Sequence, residues 1–147
     1  MKNIFLSIAC VTALAFTGWH YNLDEAKHIA AKEHKYIMLN FSGSDWCGPC
    51  IQMHKQIFDN PDFQQFANED LIMVNADFPR GKKDQLSEEQ QAANDKMADE
   101  YNKQGIFPYT VLLDADGKVL KGWEGYPKAD VASFIEDVKQ AINADKQ

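Results

Sequence analysis

Cys47-Gly48-Pro49-Cys50 sits where one hydrophobic pattern gives way to another. Ahead of it, Tyr36-Ile37-Met38-Leu39-Asn40-Phe41 is a short, nearly continuous apolar run that reads as a buried strand, and Ser42-Gly43-Ser44-Asp45 reads as a loop. Behind it, Ile51, His54, Ile57 and Phe58 recur at helical spacing. A strand-to-helix junction puts Cys47 at the helix start, beside unpaired backbone N–H groups and the positive end of the dipole. Both favour thiolate over thiol, and each unit by which a pKa falls is worth about 1.4 kcal/mol of preference for the charged form.

The thiolate is the attacking species in thiol–disulfide exchange. Pro49 suits a first helical turn, Gly48 leaves the Cys47 sulfur open to a partner's disulfide, and Cys50, one turn deeper, is placed to resolve a mixed disulfide. Other uses of a cysteine pair fit less well. A c-type haem site needs His directly after the second cysteine, where this chain has Ile51. A zinc site begun by Cys47, Cys50 and His54 lacks a convincing fourth ligand. An inert staple is the remaining alternative, yet a bridge closing so short a loop gives little stabilisation. His54 reads as a surface or half-buried helix residue before a catalytic one. No metal or cofactor is expected.

At the N-terminus, Lys2 precedes the apolar stretch Ile4–Phe16, with small residues at Ala13 and Ala15. This is the layout of a secretory signal over residues 1–18, cleaved near 15–18, with one domain over residues 19–147. The stretch is short for a bilayer span, which takes roughly 20 apolar residues. An uncleaved membrane anchor is the alternative; Cys10 is a poor lipid-attachment match. Cleavage removes Cys10, so both remaining cysteines belong to one motif. Periplasmic or secreted localisation follows. The 147 residues carry a net charge of -7, which argues against a nucleic-acid partner, since phosphate binding needs a basic surface.

Along the rest of the chain, Asn22 with Glu25 predicts a helix over Leu23–His34, with Ala26, Ile29 and Ala30 inward. Asn60-Pro61 starts another helix, with Phe63 and Phe66 inward. Leu71–Asp77 is a strand, Phe78–Leu86 a polar loop, and Ser87 with Gln90 a reciprocal cap for a helix to about Asn102. Tyr109–Leu113 and Lys118–Trp123 form a hairpin across Asp114-Ala115-Asp116-Gly117, and Pro127 opens a final helix with Val131, Phe134, Ile135, Val138 and Ile142 in its stripe. A βαβ half followed by a hairpin and helix predicts an α/β fold, a central mixed β-sheet flanked by helices on both faces.

Trp46-Cys47-Gly48-Pro49-Cys50 resembles the active-site motif of thioredoxins, and the element order over Leu23–Asn143 resembles the thioredoxin fold. Gly105-Ile106-Phe107-Pro108-Tyr109-Thr110 is similar to the segment carrying that family's cis-proline. The resemblance implies that Pro108 is cis beside the cysteines, that Phe107 offers its backbone to an extended substrate, and that Trp46, Gly48, Pro49, Phe107 and Pro108 surround the substrate at catalytic Cys47 and Cys50. Asp45-Trp46-Cys47, Phe58-Asp59-Asn60-Pro61-Asp62-Phe63 and Leu112-Leu113-Asp114-Ala115-Asp116-Gly117 resemble the exported branch, in particular the C-terminal domain of the transmembrane thiol:disulfide interchange reductase.

That resemblance implies a thiol–disulfide oxidoreductase that reduces disulfide-bonded exported proteins, with a membrane-embedded reductase as electron donor. Oxidase or isomerase use and a non-enzymatic binding module are the alternatives. No dimerisation module is visible, and a monomer is expected. There are departures. Asn40 stands where the family has a buried Asp, leaving water or another carboxylate, with Asp45 a weak candidate, to take the Cys50 proton. Lys55 replaces the proline that kinks the family's active-site helix. Phe78–Glu89 is longer than thioredoxin needs; it reads as a solvated insertion, with a partner surface as the alternative. Trp123 reads as core and rim packing, with Gly122 and Gly125 in the turn beside the site.

Overall fold

The computed structural model describes residues 18–147, so the expected leader lies outside the described residues except for Gly18. In chain order the elements are α1 (Leu23–Glu33), β1 (Tyr36–Ser42), α2 (Gly48–Met53) running into a π-helical turn (His54–Phe58), α3 (Pro61–Asp70), β2 (Leu71–Asp77), α4 (Glu88–Tyr101), β3 (Tyr109–Leu113), β4 (Val119–Glu124) and α5 (Val131–Asp145). The sheet order is β2-β1-β3-β4. β1 and β2 are parallel, whereas β1–β3 and β3–β4 are antiparallel. This is the expected mixed sheet in a thioredoxin fold.

Strand alternation sorts the core into two layers. Ile37, Leu39 and Phe41 of β1, with Ile72, Val74, Val111 and Leu113, face α1 and α4. Met38, Met73 and Leu112 point the other way, against the π turn, α3 and α5, where Phe58, Phe63 and Phe134 form a tilted aromatic column. Phe134 is 2% exposed, and truncating a phenylalanine buried this deeply typically costs about 3–5 kcal/mol. Asn40 shares the Met38 face, so this buried polar residue of β1 lies on the side of the active-site helix.

Most helix starts follow their caps. The side chains of Asn22, Asn60 and Ser87 accept from Glu25 N, Asp62 N and Gln90 N. Four expectations change. The first helix stops at Glu33, because His34 takes a left-handed conformation as its cap (φ 56). Gln90 does not complete a reciprocal cap; its Nε2 donates instead to Tyr21 O and Asn94 Oδ1. The last helix begins at Val131 rather than Pro127, because Asp130 caps it by accepting from Ser133 N at 2.8 Å. Finally, Ile51 is exposed, and the buried face after the cysteines is Cys50, Met53, Ile57 and Phe58.

The fourth change has a backbone cause. Asp59 N donates to His54 O at 2.9 Å, five residues back, so the helix gains one residue in this turn. The extra residue lets Ile57 and Phe58 both point inward. With Lys55 in place of a proline, the irregularity of this helix is the π turn. His54 itself is half-buried packing: its ring lies 5.1 Å from Trp19 and 5.6 Å from Phe58, with Asp59 Oδ1 3.6 Å from Nδ1.

Candidate active site

The strand β1 delivers the chain into a loop that β2 holds down. Phe78 N donates to Ser42 O at 2.9 Å. Asp77, at the end of β2, accepts from Ser42 Oγ (3.2 Å), Ser44 N (2.8 Å) and Ser44 Oγ (2.5 Å). Gly43 O then accepts from Trp46 N and Cys47 N. The turn therefore enters α2 at a fixed angle, with Cys47 as its N-cap and Pro49 in the first turn.

Cys47 and Cys50 form a disulfide, with a Cα–Cα distance of 5.2 Å. Cys50 N donates to Cys47 Sγ at 3.3 Å. In this oxidised state each cysteine is 4% exposed, so Cys47 is more covered than an open sulfur; its side chain turns inward to meet Cys50. Gly48 and Pro49 beside it are exposed, and nothing lies within 4 Å of where a Gly48 side chain would begin.

The second motif segment stands against the first. The Phe107–Pro108 peptide is cis, and Pro108 is buried. Phe107 meets Trp46 edge-on with ring centroids 5.5 Å apart, and meets Phe78 at the same distance. Pro108 O accepts from Gly125 N at 2.8 Å, and Gly125 adopts a φ of 74°, where glycine is strongly favoured. The turn after β4 is thus tied directly to the cis-proline. Of the residues expected around the substrate, Trp46 and Phe107 are in ring contact, and Pro108 follows Phe107 in the chain.

Trp46 lies flat over Gly43: a Cβ there would come within 2.3 Å of the indole. Its Nε1 donates to Phe78 O at 2.8 Å, and the Arg80 guanidinium carbon stands 3.6 Å from the ring centroid. Asp45 accepts from Arg80 N and Gly81 N. These two backbone donors, followed by the Arg80 charge, hold its carboxyl below the usual range. Asp45 is therefore engaged by the 80–81 loop, not by the cysteines.

Beneath α2, Asn40 is 2% exposed. Its Nδ2 donates to Asn75 Oδ1 at 3.2 Å and its Oδ1 accepts from Thr110 Oγ1 at 3.0 Å. Thr110 also touches Met53 Sδ at 3.8 Å. Asn40 itself, an amide with its oxygen and nitrogen both engaged, is no base for the Cys50 proton.

Trp123 is packing, as expected: it stacks edge-on to Phe134 at 5.4 Å and its Nε1 donates to Asp137 Oδ2 at 2.6 Å. Two contributors escaped the sequence reading. Asn102 is buried and clamps the approach to the cis-proline, with Nδ2 to Ile106 O and Ile106 N to Oδ1, both 2.9 Å. An asparagine just past a helix and three residues before Gly105 was the available signal. Arg80 gave none, because stacking on Trp46 depends on the path of a loop.

A family model described as a thioredoxin-like domain matches residues 23–139. The chain belongs to the thioredoxin-like family. Over 130 residues it is 37% identical to the disulfide bond reductase DsbH of Chlamydia pneumoniae, covering 88% of this chain and 75% of that protein. A solved DsbH oxidoreductase superposes with a TM-score of 0.79 at 35% identity, covering 97% of this chain and 95% of that one. The reduced C-terminal domain of DsbD from Neisseria meningitidis matches with a TM-score of 0.54 at 26% identity, over 81% of this chain and 93% of that one. Within this thioredoxin-like fold, Cys47 and Cys50 are a dithiol–disulfide pair suited to thiol:disulfide oxidoreduction. Among the described residues no helix is long and apolar enough to cross a membrane.

Proposed function

We propose that the protein reduces disulfides of exported proteins, with Cys47 as nucleophile and Cys50 as resolving cysteine. The observation that carries this is the bonded sulfur pair at the start of α2, preceded by Trp46, whose ring meets Phe107 of the second motif segment. In the reduced protein, the N–H of Cys50 that now reaches Cys47 Sγ would support a Cys47 thiolate. That thiolate attacks one sulfur of the substrate disulfide and expels the other. Cys50, losing its proton to water, then attacks Cys47 Sγ. The substrate leaves as a dithiol, and its two electrons come from the Cys47/Cys50 pair. Trp46, Gly48, Pro49, Phe107 and Pro108 line the approach, and the Phe107 backbone offers edge hydrogen bonds to an extended substrate segment.

Similarity to DsbH and to the DsbD C-terminal domain supports the reducing direction, an exported location and recharging by a membrane-embedded reductase. In this reading residues 1–18 are a cleaved leader and the domain acts as a monomer. Cys50→Ser should accumulate a mixed disulfide on Cys47 with exported proteins, whereas Cys47→Ser should trap none. Redox titration should place the couple near thioredoxin's, about −270 mV, rather than near the strongly oxidising end, about −120 mV. A couple at the oxidising end would reverse the direction.

A further inference from the structure

We propose that Arg80 is a substrate-selecting residue, favouring disulfide substrates with an acidic side chain next to the reacting cysteine. The inference rests on the reductase reading above and names the substrate class for that same site.

Arg80 comes from the Phe78–Leu86 loop, far in sequence from either motif, yet it is stacked on the residue before Cys47. Its guanidinium lies 3.6 Å from the Trp46 centroid. The loop is fastened there from both sides, by Trp46 Nε1 on Phe78 O and by the Asp45 carboxylate on the backbone of Arg80 and Gly81. Phe78 extends the contact to Phe107, which leads into the cis-proline. Arg80 thus belongs to the same wall as both motif segments. It is exposed, and among the described residues its guanidinium enters no ion pair within 4 Å. The nearby Asp45 carboxylate takes its hydrogen bonds from the backbone N–H groups of Arg80 and Gly81 and meets the Arg80 charge only through space. A planar cation held by stacking keeps its edge donors free for a carboxylate.

Charge distribution points the same way. The chain is acidic overall, at -7, but this loop reads Arg80-Gly81-Lys82-Lys83. The loop also carries Asp84, and Asp45 and Asp84 both lie beside Gly81, so the cation offered at the Trp46 face is Arg80 itself. Such a cation attracts acidic segments and repels basic ones. The redox step is unchanged: the protein dithiol becomes a disulfide as the substrate disulfide becomes a dithiol. Arg80 acts on which substrate reaches Cys47.

The test uses the full chain, reduced, with three disulfide-bonded peptides that differ only in whether Glu, Gln or Lys flanks the cystine. The expected order of second-order rate constants for oxidation of the Cys47/Cys50 dithiol is Glu, then Gln, then Lys, with the extremes differing about fivefold at low salt and converging as salt screens the pair. Arg80→Glu should invert that order and Arg80→Lys should keep it. Equal rates for the three peptides in the unsubstituted protein would overturn the proposal. So would an Arg80→Glu variant that slows all three alike, which marks Arg80 as packing on Trp46 only. No reduction of any peptide would overturn this proposal together with the reductase reading.

Discussion

Asn40 and Asn75 face each other across the parallel pair β1–β2, in register, joined by an amide hydrogen bond of 3.2 Å. With Thr110 on the other side, Asn40 is a buried polar residue whose donor and acceptor are both used. Asn40→Asp puts a carboxyl in that position that keeps the Thr110 donor but loses the bond to Asn75 Oδ1. Burial should raise its pKa, because the charged form loses its water. A carboxyl whose folded pKa is raised binds its proton more tightly folded than unfolded. The penalty is therefore small at acid pH and grows as pH climbs through the folded pKa. Urea denaturation should show Asn40→Asp destabilised by about 1–3 kcal/mol at pH 8 and by clearly less at pH 5. Equal destabilisation at both would contradict this account.

Asp137 on α5 fastens the end of the sheet. It accepts from Lys121 Nζ and Trp123 Nε1, each at 2.6 Å. The Lys121 hydrogen bond leads in holding its carboxyl below the usual range, with Trp123 adding to it against the effect of burial. A depressed folded pKa gives stability above the unfolded pKa, near 4, that is lost as pH falls through the folded value. Asp137 is 39% exposed, so solvent screens the pair and the effect stays near 1 kcal/mol. Asp137→Asn should lower the thermal midpoint at pH 7, and the gap to the unsubstituted protein should narrow as pH falls below the unfolded value.

The β3–β4 hairpin is pinned by a tyrosine on α4. Tyr101 donates to Gly117 O at 2.9 Å. Burial first, then the neighbouring Glu100, pushes its pKa up to about 12. Such a group supports the fold fully below its unfolded pKa, near 10, and the support disappears as pH rises through about 12. Tyr101→Phe should cost about 1 kcal/mol at pH 7 and remove part of the stability loss between pH 10 and 12, read by far-UV circular dichroism. Gly117→Ala should cost more. Its φ is 91°, and the new methyl would meet Lys27 and the Tyr101 hydroxyl.

Features with a local physical cause could be read from the sequence. Asn22, Asn60 and Ser87 cap the helices they precede because a short polar side chain satisfies an N–H two or three residues on. The Cys47/Cys50 pair and Pro108 were legible because motif and element order agree across some sixty residues. Pro127 misled because proline tolerates a first helical turn without requiring one, while Asp130 had the better cap. The stripe through Ile51 failed because the periodicity assumed 3.6 residues per turn and the backbone inserts a π turn at His54. Gln90 could have bonded its own helix start; a tertiary partner, Tyr21 O, took it instead. Asn102 and Arg80 depend on where loops lie after folding, which spacing does not encode.

Gly43 and Trp46 give the sharpest separation of site geometry from chemistry. The indole rests on Gly43 so closely that any side chain there displaces it. Gly43→Ala should therefore move Trp46 while the Gly43 carbonyl keeps its bond to Cys47 N. The displaced ring should lose its bond to Phe78 O, its edge contact with Phe107 and its stack under Arg80. Tryptophan emission should shift, and amide exchange in residues 78–84 should rise, since the fastening from Trp46 would be gone. Overpacking at such a contact costs about 1–3 kcal/mol. Substrate reduction should fall about tenfold, while the Cys47/Cys50 potential should change little, because Cys50 N still faces Cys47 Sγ. A large change in potential with emission unaltered would mean that Gly43 acts through the sulfurs rather than through the tryptophan.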